Sequence, residues 1–176
     1  MGAIDYEGLN RLSYGMYVVA SFRPDRPSRL NGQIADVVMQ VGLEPLLVVA
    51  CLNRQNFTVE LIRESKKFSV SILSQEAPLP FIGRFGFRSG RDFEKFDASV
   101  RHRVLESGDP IVLDHTVGYL DLAVEREIEL STHSLFIGRV VEAAVLAPEK
   151  EPMTYAFYHN VKKGLTQKNA PTYNKP

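Results

Sequence analysis

The chain has 176 residues, 44% of them hydrophobic and 24% charged, with 21 basic side chains balanced by 21 acidic ones. That describes one domain with its own core, excludes a disordered chain or a coiled coil, and lacks the basic excess of a dedicated nucleic-acid binder. The single cysteine, Cys51, excludes an internal disulfide framework, a Cys-rich zinc site and an iron–sulfur or rubredoxin-type iron centre built by these residues alone.

No apolar run reaches the length of a membrane span, and no basic segment followed by an apolar one marks a signal peptide, so a reducing cytoplasm fits. In chain order, the first ten residues are weakly helical. Leu12–Ser21 is rich in Tyr, Val and Met and reads as a buried strand. Phe22–Leu30, with three Arg and two Pro, reads as a loop, and Asn31-Gly32 as a turn. Ile34–Val41 and Leu46–Leu52 read as strands, the second uncharged and so covered on both faces. Thr58–Ser65 has helical spacing after two good N-cap residues, Asn56 and Thr58. Phe68–Leu73 alternates as a strand, Gln75–Gly83 allows a short helix, and Phe85–Phe96 is a Gly- and Arg-rich loop.

The second half is richer in strands. Leu120, Leu122, Val124, Ile128 and Leu130 share one parity, and Arg126 interrupts that face and requires a partner. Ser131-Thr132-His133 is a turn, Leu135–Leu146 a long strand and Thr154–Tyr158 a last short one. The basic tail from Lys162 is expected on a surface. Many strands with few helices predict a mainly β protein built as an antiparallel β-barrel. A dinucleotide fold is disfavoured, because no G-x-G-x-x-G follows a strand and no phosphate-cradling Walker loop is present.

Two segments carry chemistry. From Asn53 to Thr58 a strand gives way to a helix, where free backbone N–H groups, Arg54, Asn56 and Thr58 suit a phosphate; a capped helix with one solvated Arg would have the same sequence. Phe85–Asp92 combines Phe, Gly and Arg as a ligand loop would, or as an anchored surface loop would. His133 and His159 read as structural histidines or as ligand contacts. No His pair has metal-ligand spacing, so no metal is expected, and Cys51 reads as an inert core residue.

Tyr14–Val19, Asn31-Gly32, Arg54–Thr58 with Leu61-Ile62, Phe85–Asp92 with Lys95-Phe96, Thr132–Gly138, Thr154–His159 and Ala170–Tyr173 together resemble the flavin reductase-like proteins with the FMN-binding split-barrel fold. The resemblance covers nearly the whole chain, implying a single domain over 1–176 with 160–176 as a C-terminal extension. It implies bound FMN, NADH or NADPH as donor, a homodimer with pockets at its interface, and acceptors such as free flavin, ferric iron or a separate redox protein. It implies no membrane or nucleic-acid partner. The alternative is a non-enzymatic FMN-binding electron carrier. By the same resemblance the phosphate lies at the turn Asn53 to Thr58, with Arg54 and Asn56, and Cys51 and Leu52 beside it also bind the cofactor. Phe87, Arg88, Ser89, Gly90, Lys95, His133 and Tyr158 lie near the flavin. Ser21 and the stretch Asn31 to Gln40, with Asn31, Gly32, Ala35, Asp36 and Gln40 as its binding residues, line the other side. The flavin carries the chemistry, so no catalytic acid or base is expected; Lys95 or His133 would tune its potential.

Overall fold

A computed structural model describes residues 6–9 and 11–173. After a short helix α1 (Tyr6–Leu9) come four strands, β1 (Tyr17–Arg23), β2 (Arg26–Ala35), β3 (Val38–Leu43) and β4 (Leu46–Asn53). Helix α2 (Phe57–Ser65), β5 (Lys67–Leu73) and helix α3 (Leu79–Gly86) follow. The last elements are the small strands β6 (His102–Val104) and β7 (Pro110–Val112), the long β8 (Thr116–Glu129) and β9 (His133–Val145), and helix α4 (Tyr155–Asn160). Seven strands form one antiparallel sheet in the order β2-β1-β5-β8-β9-β4-β3.

The two edge strands, β2 and β3, are joined by Asp36 and Val37 alone. A sheet whose opposite edges are two residues apart in the chain must curl on itself, and the backbone N–H of Cys51 on β4 donates to the Val37 carbonyl at 3.0 Å across that join. The curl encloses one core of Val19, Ala50, Leu52, Phe68, Val70, Leu122 and Phe136, closed by Val59 and Ile62 of α2. A second core lies behind β1, where Val18 and Ala20 meet Ile82, Phe85, Phe96, Met153 and Tyr158. Alternate residues of β1 therefore serve opposite cores, as the lack of charge from Tyr17 to Phe22 requires.

Several sequence expectations are corrected. Phe22–Leu30 is a paired hairpin, not a loop: Phe22 faces Leu30 across β1 and β2, and only Pro24 and Asp25 turn. Asn31-Gly32 lies inside β2 rather than at a turn. Gly32 is there for space, since a Cβ would meet Val18 at 3.0 Å, Ala20 at 3.2 Å and Phe96 at 3.3 Å. The first strand begins at Tyr17, and Ile34–Val41 is broken at Asp36. Thr154–Tyr158 is helical from Tyr155, because the Thr154 hydroxyl caps the turn by accepting from the Phe157 N–H at 3.1 Å. Arg126 needs no partner. A bulge between Val124 and Arg126 shifts the register, which sends Arg126 and Ile128 to the outer face.

Candidate functional site

The curl leaves a cleft with two lobes that share Gln33, Ile34, Asn56, Gly86, Phe87, Gln167 and Asn169. The apolar lobe is walled by Met16, Ile34, Ala35, Ile82, Phe87, Tyr155, Tyr158, Leu165 and Pro171, with Asp36, Cys51 and Asn53 at its side. The polar lobe is walled by Asn31, Gln33, Asn56, Thr58, Arg88, Ser89, Gly90 and Lys95.

The polar lobe is built on the first turn of α2. Asn56 holds the extended N-cap conformation, yet its side chain caps nothing; its Oδ1 instead accepts from the Asn169 amide at 3.0 Å. Asn31 Nδ2 donates to the Thr58 hydroxyl at 2.7 Å. Its own Oδ1 and the Gln33 Oε1 are buried with no partner. Lys95 is only 3% exposed. Its ammonium donates to the carbonyls of Gly32 at 2.8 Å and Phe85 at 2.9 Å, and it forms no ion pair among the described residues. Burial lowers its pKa to about 8. Two unpartnered acceptors and an unneutralised cation in one lobe suit a ligand that carries both hydroxyl donors and negative charge.

The loop after α3 is fixed against this lobe. A Cβ on Gly90 would stand 1.9 Å from Asn31 Oδ1, so only glycine lets the loop backbone pack there. Arg29 donates to the Gly90 carbonyl at 2.7 Å. Arg88 lies over the Phe93 ring at 4.4 Å, and Arg91 pairs with Glu60 while covering Phe57 at 5.2 Å.

The structure thus brings together Asn31, Ala35, Asp36, Cys51, Asn53, Asn56, Thr58, Phe87, Arg88, Ser89, Gly90, Lys95 and Tyr158. It places six other expected residues outside the lining. Arg54 turns away to pair with Glu129 at 2.9 Å and donate to the Leu130 carbonyl. Ser21 is buried behind α2 and donates to the Lys67 carbonyl at 2.9 Å. Gln40 is exposed on β3, Leu52 is a core residue, and Gly32 faces the second core. His133 stands just outside the apolar lobe, opposite Asn53 in register. Its Nδ1 accepts from the Thr132 hydroxyl, which leaves the Nε2 proton to the Asn169 carbonyl at 3.2 Å. Burial, and after it the charge of Asp36, push the pKa of the Cys51 thiol up, which disfavours the thiolate. No group of three His, Cys, Asp or Glu able to hold a metal occurs among the described residues.

Sequence reasoning placed the stretch 31–40 at the site without singling out Gln33 and Ile34, and missed Tyr155 and the tail. Once β2 is a strand through Asn31, period two puts Asn31, Gln33 and Ala35 on one face, which the turn assignment concealed. The tail's Gln167 and Asn169 carry no such pattern.

The family model of the flavin reductase like domain matches residues 9–164, and the chain belongs to that family. It is 43% identical over 170 residues to the high molecular weight rubredoxin of Moorella thermoacetica, covering 97% of this chain and 72% of that protein. It is 42% identical to the ferric-chelate reductase (NAD(P)H) of Archaeoglobus fulgidus, over 97% of this chain and 98% of that one. Among solved structures, the NADH:FAD oxidoreductase of Streptomyces globisporus superposes with a TM-score of 0.72 at 26% identity, covering 88% of this chain and 90% of the other.

Proposed function

We propose that this flavin reductase-like protein is an oxidoreductase that holds FMN in the two-lobed cleft and takes electrons from NADH or NADPH. The carrying observation is the continuity of an apolar lobe with a polar one that contains a buried, unneutralised ammonium. FMN has the same polarity along its length: a flat ring system, a polyol and a phosphate. The apolar lobe, walled by Ala35, Tyr155, Tyr158 and Pro171, would hold the ring. Asn31 Oδ1 and Gln33 Oε1 accept from the polyol hydroxyls. Lys95, Ser89 and the uncapped start of α2 take the phosphate. This moves the phosphate's cation from Arg54, which Glu129 neutralises, to Lys95.

When bound, the flavin supplies the chemistry by accepting a hydride. The protein's own residues bind and orient it, exclude water from its ring and neutralise its phosphate. No side chain is needed to move a proton. The acceptor is outside the cleft, and an iron centre serving as acceptor belongs to other residues than these, whose only cysteine is Cys51. No helix among the described residues is long and apolar enough to cross a membrane, and we place the protein in the cytoplasm.

Lys95→Met tests the assignment. Titrated against the variant, FMN is expected to lose at least tenfold in affinity while riboflavin, which has no phosphate, loses little. Equal losses for both ligands would remove the phosphate from this lobe.

A further inference from the structure

Residues 165–172 lie beyond the limit of the family domain at residue 164, yet Leu165, Thr166, Ala170 and Pro171 line the apolar lobe of the cleft, and Gln167 and Asn169 line both lobes. The chain is turned back to get there. Lys163 has a left-handed backbone with φ of 58°, and Gly164 lies flat on Tyr158, where a Cβ would stand 2.1 Å from the ring. From that reversal the segment runs across α4 and the cleft mouth, anchored along its length. The Leu165 carbonyl accepts from the Tyr158 hydroxyl at 3.0 Å. Thr166 bonds the Tyr155 hydroxyl and His159. Thr172 donates to Asp36, which is itself 5% exposed.

Asn169 is the central anchor. Its carbonyl accepts from Asn53 Nδ2 at 3.1 Å and from His133 Nε2 at 3.2 Å, and its side chain donates to Asn56. One residue thus ties together the end of β4, the start of β9 and the start of α2.

We propose that this segment is the outer wall of the FMN site and that Asn169 and Thr172 are the positioning residues that make the flavin a resident cofactor instead of a substrate that binds, is reduced and leaves. The inference rests on the FMN reading above. With the wall in place, departure of the flavin requires the anchors at both Asn169 and Thr172 to open. Free flavin is then not the physiological acceptor: electrons leave from a flavin that stays, to an external acceptor that does not compete for the cleft.

The test uses the full chain. Wild type and an Asn169→Ala/Thr172→Val variant, which loses the side-chain bonds to Asn56 and Asp36 while the carbonyl of residue 169 keeps its two donors, are loaded with FMN, freed of excess and diluted, and release is followed by the recovery of flavin fluorescence. The variant, assayed well below its apoprotein melting temperature, is expected to release FMN at least tenfold faster, while Thr172→Ser, which keeps the hydroxyl, releases at the wild-type rate. Equal release from wild type and the double variant would overturn the inference and leave the FMN reading standing. So would a wild-type protein whose FMN exchanges freely within the mixing time. A wild-type protein that binds no FMN would overturn both.

Discussion

Lys95 carries a charge that its protein surroundings leave uncompensated. Two carbonyls hold the ammonium, and burial brings its pKa down to about 8. A phosphate in the polar lobe stabilises the charged form, so binding and protonation are coupled. FMN affinity is therefore expected to fall as pH rises above about 8, approaching tenfold per unit, while riboflavin affinity stays flat. A pH series of dissociation constants measures this, and parallel curves for the two ligands would contradict it. Asp109 poses the opposite case, far from the cleft. It is fully buried, neither carboxylate oxygen has a partner, and burial together with the neighbouring Asp121 raises its pKa to about 8, against the pull of Lys67. Its acid form is the one folding favours. Its contribution to stability is full below the unfolded value near 3.8 and is lost as pH climbs through about 8. Asp109→Asn is expected to flatten that loss and to stabilise the protein by about 1 kcal/mol or more at pH 8.5, read from urea midpoints. An unchanged pH slope would mean that Asp109 is ionised in the fold.

At the scale of elements, the strands and helices with strong periodic patterns were legible. Leu46–Leu52, Phe68–Leu73 and Leu135–Leu146 are strands, and Thr58–Ser65 is a helix, within a residue or two of their observed bounds. What misled was local punctuation overruled by tertiary packing. Asn31-Gly32 has turn chemistry, but the glycine is required by the close approach of Val18, Ala20 and Phe96. Tyr155–Tyr158 has strand-forming residues, but the Thr154 cap and the burial of Tyr158 select a helix. The candidate site was legible where a motif sat on one segment, as in Arg88-Ser89-Gly90. It was not legible where charges pair across the fold, as Arg54 does with Glu129, seventy-five positions away. The Phe87–Gly90 loop gives a prediction at this scale. Gly90→Ala must push the loop from Asn31, which Thr58 holds in place. The expected cost is about 1–3 kcal/mol of stability and at least a tenfold loss of FMN affinity. Wild-type affinity in that variant would show the loop to be no part of the site.

At the scale of the molecule, the outer face of β3, β4, β9 and β8 is incomplete as an exterior. Register places Met39, Val49 and Ile137 in one row, which ends at Arg126 on β8, and Cys51, Leu135 and Ile128, all apolar, in the next. Met39 is 53% exposed and Ile128 39%. The same face runs into the cleft at Cys51 and Asn53. A second copy covering this face would bury the apolar rows and close the ring lobe from outside, and a homodimer is the expected state. Light scattering at micromolar concentration should give the mass of two chains, and Ile128→Asp should give one. A monomeric wild type with FMN bound would contradict this.

Anaerobic mixing of the FMN-loaded protein with NADH and with NADPH decides whether a nicotinamide donor passes electrons to FMN held in the cleft. At least one donor is expected to bleach the visible band of the bound flavin, at a rate that saturates with donor concentration. A protein that keeps its FMN oxidised against both donors would be an electron carrier, and the oxidoreductase account would fail.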